Sequence, residues 1–197
     1  WPAPGIFWRI IRSQCSDPPH ENGRFAGTDR PGIAQLDIVF AKLCTVFSAQ
    51  LENGGFALTG EAADPDITAM ALQALVKYRD RQDVEDAVQR GLAALSALQE
   101  PNGAYLSWDE ENSESVCQVI VALTELGISL DDERFVKNGQ TLPQVLERFA
   151  CEDGSYRHSL NGNSDEMATE QAFYALAAIH RVETGKTTLY DMRDVMQ

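Results

Sequence analysis

The chain has 197 residues, 44% of them hydrophobic, and sets 30 acidic side chains against 16 basic ones for a formal net charge of −14. That length sustains one substantial core, and the acidic balance argues against nucleic acid or an anionic membrane as partner, because both select a basic face. The longest apolar runs, Leu36–Phe40 and Leu43–Phe47, fall well short of the roughly 20 residues that cross a bilayer, so no membrane span is predicted.

Residues 1–50 hold five Lys and Arg against four Asp and Glu, which leaves −15 for the rest. Five of the eight prolines (Pro2, Pro4, Pro18, Pro19 and Pro31) lie within this first stretch. They block regular helix, so residues 1–32 are expected to form an irregular leader and 33–197 a helical repeat domain. From Ile33 to Gln50 the positions Leu36, Val39, Phe40, Leu43, Val46 and Phe47 recur at helical spacing and predict a first helix. Cys15, Cys44, Cys117 and Cys151 are scattered without a Cys-x-x-Cys pair; Cys44 and Cys117 read as small core residues.

Three short turns then share a form: Asn53-Gly-Gly-Phe56, Asn102-Gly-Ala-Tyr105 and Asp153-Gly-Ser-Tyr156. They recur at a period of about fifty residues. Asn-Gly and Asp-Gly supply the positive φ that a tight turn needs, and the aromatic that follows can fold back as an anchor. After each turn comes a polar loop and an apolar helical pattern, over Ile67–Tyr78, Glu114–Leu126 and Met167–Ile179. Asp64, Asn112 and Asp165 stand ten residues before the Ala of the matching Ala-Leu pairs, Ala74, Ala122 and Ala175. All three are strong N-cap types, each contributing roughly 1 kcal/mol, and Pro65 suits the first helical position. A second, more charged helix completes each unit. It is clearest over Asp83–Gln99, where Val84, Val88, Leu92, Leu95 and Leu98 form one stripe, and less regular over Leu142–Ala150. A pair of this kind cannot bury its apolar face alone, so stacked pairs in two layers are expected.

Gln50-Leu-Glu-Asn-Gly-Gly-Phe56 and Gln99-Glu-Pro-Asn-Gly-Ala-Tyr105 resemble the Gln-to-aromatic repeat of squalene cyclases, with Phe or Tyr in place of Trp. The third copy has Ala150 where the Gln would stand and keeps Tyr156. The resemblance is to the α/α-toroid superfamily: squalene and terpene cyclases, prenyltransferase-like repeat proteins and, more distantly, transcobalamin-type cobalamin carriers. It implies an all-α toroid of helix pairs. Such rings close with more pairs than the three counted here, so an incomplete, half ring with an open edge is expected. Many prenyltransferase-like repeat proteins are secreted or surface-attached, which implies an extracellular or cell-surface location.

Asp64-Pro-Asp66-Ile-Thr-Ala resembles the acid motif of class II terpene cyclases, in which an Asp protonates an alkene or epoxide, but the third acid of that motif is Ile67 here. Of the three helical patterns, the first two, over Ile67–Tyr78 and Glu114–Leu126, supply only Tyr78 as an aromatic to steady a carbocation. Asp64 as N-cap and Asp66 as a first-turn acid complementing the helix dipole is the favoured assignment; catalysis with Asp66 as acid beside Asp64 is the alternative. Protein prenyltransferases bind zinc through Asp, Cys and His. His20, His158 and His180 have no metal-ligand spacing, and the thioester motif of complement-type toroids is absent, so no metal or cofactor is expected. Gly185-Lys186-Thr187 lacks the upstream glycine of a phosphate loop and reads as a helix end.

What remains is non-covalent binding. Asp66, Thr68, Glu114, Gln118, Glu170 and Gln171 stand near inner-helix N-termini and are expected to ring an apolar floor. The expected function is a non-catalytic binding module for a small apolar or corrinoid-like ligand, or a scaffold for a protein partner or a second copy at the open edge.

Overall fold

The computed structural model describes residues 43–191 and 193–195. Residues 43–48 belong to one compact unit, and the described residues from Ala49 onward belong to another. The expected leader, Cys15, His20 and most of the first expected helix lie outside the described residues. Of that helix, residues 43–48 are helical. Leu43 is buried there, but Cys44 is exposed and not a core residue. Successive helical positions point about 100° apart, so neighbours do not share a buried face.

From Ala49 onward the chain is mostly helical. The elements are α1 (Pro65–Leu75), continued by a 3-10 turn over Val76–Tyr78, α2 (Gln82–Leu98), α3 (Ser113–Glu125), α4 (Leu142–Glu147) and α5 (Glu166–Glu183). Two antiparallel hairpins occupy stretches expected to be polar loops: β1 (Leu106–Ser107) with β2 (Glu110–Glu111), and β3 (Tyr156–Arg157) with β4 (Ser164–Asp165). The fold is therefore not purely α. The first hairpin turns through Trp108 and Asp109 at φ +55° and +63°, the left-handed pair that matches the twist of paired strands.

Each long helix that follows a turn begins as its cap residue dictates. Asp64, Asn112 and Asp165 accept from the amides of Ile67, Ser115 and Ala168 at 3.0, 2.8 and 2.9 Å, and Pro65 occupies the opening of α1. The three turns also share their bonding. Gly54, Gly103 and Gly154 hold φ at +87°, +85° and +85°, and Asn53, Asn102 and Asp153 each accept from the amide two residues on at 3.0 Å. Gln50 Nε2 donates to Gly54 O and Ala87 O, both at 2.8 Å, and Gln99 Nε2 donates to Gly103 O at 2.9 Å and Phe135 O at 3.0 Å. At the third turn, Ala150 has no side-chain amide to offer, and Arg157 Nη2 donates to the Ala150 carbonyl at 3.1 Å.

The core forms around α3, which packs against α1 and α5 and, through its outer side, against α4. Every residue of α3 is buried except Gln118, which is half-buried. α1 pairs with α2 so closely that a Cβ on Gly91 would meet Leu72 Cδ2 at 2.6 Å. Val84, Val88, Leu92 and Leu95 of the α2 stripe are fully buried, as are the anchor Tyr105 and, nearly so, Phe56. Cys117 is buried in this core, and Cys44, Cys117 and Cys151 are free thiols. Among the described residues no helix is long and apolar enough to cross a membrane.

Candidate functional site

The first turns of α1 and α3 and the β3–β4 hairpin bring one cluster of ionisable groups together. Asp64 is divided between two tasks, its Oδ1 capping α1 and its Oδ2 accepting from Ser107 Oγ at 2.8 Å. Asp66 is the second helical residue, where an exposed carboxylate would favour the helix dipole. It stands in the first turn, as expected, but is buried, with 3% of its surface exposed. Burial pushes its carboxyl up to about 7. The nearby Ser115 hydroxyl and His158 pull the other way, and Asp64 and Glu114 raise it further. Ser115 is close enough to act on Asp66, yet Asp66 Oδ1 and Ser115 Oγ are both buried without a hydrogen bond of acceptable geometry. A buried carboxyl with so little compensation prefers to be neutral.

Glu114, equally buried, is satisfied where Asp66 is not. His158 Nδ1 lies 2.9 Å from both of its oxygens, and His158 Nε2 lies 3.7 Å from Glu110 Oε2. The imidazole arrives there because the hairpin is tied to the start of α3, with Ser113 N donating to His158 O at 3.0 Å and Ser113 Oγ to Arg157 O at 2.9 Å. Burial works against a charge on His158. The hydrogen bond that Glu114 accepts from the ring and the charges of Glu114, Glu110 and Asp165 outweigh it and raise the histidine pKa. The arrangement can hold a proton on Asp66 near neutral pH, beside a histidine whose pKa is raised by the carboxylates around it. Among the described residues no group of three or more His, Cys, Asp or Glu side chains is arranged to hold a metal ion.

The six residues expected to ring one pocket fall into separate places. Asp66 and Glu114 sit in the cluster above. Thr68 is fully buried and bonded to the Phe56 backbone, accepting from its N–H at 2.9 Å and donating to its carbonyl at 3.3 Å. Thr169 makes the same two contacts with Tyr156, so this threonine is an anchor for the aromatic. Glu170 is exposed on α5. Gln118 and Gln171 belong to a row of amides crossing three helices: Gln73 Nε2 donates to Gln118 Oε1 at 3.1 Å, and Gln118 Nε2 donates to Gln171 Oε1 at 2.8 Å.

His158, Ser107 and Gln73 enter the picture only with the structure. Two of them come from hairpins, whose few residues carry no periodic signal. Gln73 did have one, as the polar interruption in an otherwise apolar stretch from Ala69 to Leu75. No family model matches the chain, and a search of curated proteins finds no match either.

Proposed function

We propose that this chain is a non-catalytic helical-repeat domain of the α/α-toroid type that works as a protein-interaction scaffold. The bond sets that recur at Asn53, Asn102 and Asp153 support the repeat, as do the cap bonds of Asp64, Asn112 and Asp165. The observation that carries the scaffold reading is the outer side of α5. This helix buries Ala168, Ala172, Ala175 and Ala178 but leaves Phe173 70% exposed, with Leu176 and Met167 also exposed. α1 and α3 each carry a further helix, whereas among the described residues α5 has none so paired. An apolar helix face in water favours association, and a second copy presenting a helix pair of the same kind is the occupant of choice. A small apolar or corrinoid-like ligand is less favoured, since the face expected to take it carries the polar row Gln73, Gln118 and Gln171. Secretion or surface attachment goes with this reading through the family resemblance alone.

Light scattering of the chain over a range of concentrations tests the scaffold. The expected result is a reversible dimer that Phe173→Glu returns to monomer without changing the helical circular dichroism. A monomer at every concentration, or a dimer indifferent to the substitution, removes α5 from the role.

The raised pKa and unpartnered Oδ1 of Asp66 favour a second reading, acid catalysis on an isoprenoid polyene. Asp66 would deliver its proton to an alkene carbon, and the cation would lose another proton to water. Incubation with squalene in deuterated water tests it: deuterium in the product, lost in Asp66→Asn, is the required outcome, and unlabelled substrate ends the reading.

A further inference from the structure

We propose that the face of α1, α3 and α5 bearing Gln73, Gln118, Gln171 and Glu125 binds an extended peptide containing a tyrosine, and that the segment after α5 occupies one end of it as a ligand in cis. α5 ends at Glu183, and the chain folds back past Gly185, whose φ is +66°. Arg181 secures the return, donating from Nε to Thr187 O at 2.8 Å and from Nη2 to Asp194 Oδ1 at 2.6 Å. Tyr190, carried on this segment, touches all three helices. Its hydroxyl donates to Gln73 Oε1 at 2.8 Å, its N–H donates to Glu125 Oε1 at 2.9 Å, and its ring lies 6.1 Å from that of Tyr174.

The position of Glu125 points to a ligand. It closes α3 as the final helical residue and is 6% exposed, so its carboxylate faces the negative end of the helix dipole with little contact with water. A buried carboxylate is costly without partners, and among the described residues its hydrogen-bond donor is the Tyr190 amide. The segment supplying that amide is weakly held: no described residue from Thr184 to Val195 is buried, and Tyr190 itself is 46% exposed. Segments with so little burial open readily. Opening strands Glu125 and Gln73 until another N–H and another phenol replace those of Tyr190.

The amide row extends the surface past Tyr190. Gln118 Nε2 donates within the row only to Gln171 Oε1, and Gln171 Nε2 donates to no described residue, so N–H groups remain there to meet the carbonyls of an extended peptide. Lys77 lies near enough to help hold Asp191 below the usual carboxylate range, after the larger effect of Arg193. The surface therefore fits a tyrosine followed by an acid.

A fluorescent peptide of the sequence Lys186–Met192 provides the probe, with anisotropy as the readout on the full chain. A tethered segment competes at an effective concentration in the millimolar range, so Tyr190→Ala should bind the peptide at least ten-fold more tightly than the parent. Adding Glu125→Gln should reverse that gain, and a peptide with alanine for its tyrosine should not bind. In the unaltered chain, excess peptide should speed amide hydrogen exchange at Tyr190, a readout that does not depend on how the variants fold. Failure of Tyr190→Ala to bind while folded, binding indifferent to Glu125→Gln, or unchanged exchange at Tyr190 overturns the proposal.

Discussion

Replacing Asp66 by Asn should change how the stability of this protein depends on pH. The folded carboxyl has a pKa of about 7 against 3.8 when free. Between those values the unfolded chain has released this proton and the folded chain retains it. Stability therefore falls as pH rises, by about 1.4 kcal/mol per pH unit, and levels off once the folded group ionises above 7. The gap of about three units corresponds to roughly 4 kcal/mol. Asn resembles the neutral acid in shape and has no proton to lose, so it should remove this slope. Its amide donors, if unsatisfied, add a constant cost of about 1–3 kcal/mol, which shifts the whole curve and leaves its slope unaffected. Urea unfolding followed by circular dichroism from pH 4 to pH 8.5 measures both. The variant should gain on the parent steadily from pH 4 to about 7 and then hold level, the total gain approaching about 4 kcal/mol. A difference between the two proteins that stays flat across the range would show that Asp66 ionises normally and would refute the argument from burial.

Four further substitutions probe other supports of the fold. His158→Gln should lose the stability of the Glu114 pair at low pH. The raised histidine pKa means that this contribution is full below about 6.5, the value of a free histidine, and fades as pH rises through the folded value; the same urea series reads it. Gly54→Ala and Gly154→Ala both force alanine to a φ near +86°, which costs about 1 kcal/mol. At Gly54 alone the new Cβ would also lie 2.5 Å from Arg90 O, so thermal unfolding should show the Gly54 variant clearly the less stable of the two. Thr68→Val keeps the volume but removes both bonds to the Phe56 backbone, and a loss of about 1–3 kcal/mol is expected for the stranded buried amide.

Local chemistry was legible because each signal is read within one turn of chain. Asp64, Asn112 and Asp165 are caps since a short oxygen-bearing side chain reaches an amide three residues on, and Gly54, Gly103 and Gly154 turn because they alone tolerate the required φ. The stripe of α2 emerged from spacing for the same reason. Cys44 marks the limit of such reasoning: an apolar residue in a helical pattern was assigned to a core, but pattern alone does not say which face is covered.

Sequence by itself determined where the helices begin, where the tight turns fall and which side of α2 is buried, because those outcomes depend on neighbours a few residues away. Tertiary structure decided the environment of Asp66, whose neighbours Glu114, Ser115 and His158 come from distant stretches of chain. It likewise decided that Gln73, Gln118 and Gln171 form one row and that Tyr190 closes over Glu125. Desolvation and long-range hydrogen bonding are properties of the assembled surroundings, so the same aspartate is an ordinary acid in the unfolded chain and a proton-holding one in the fold.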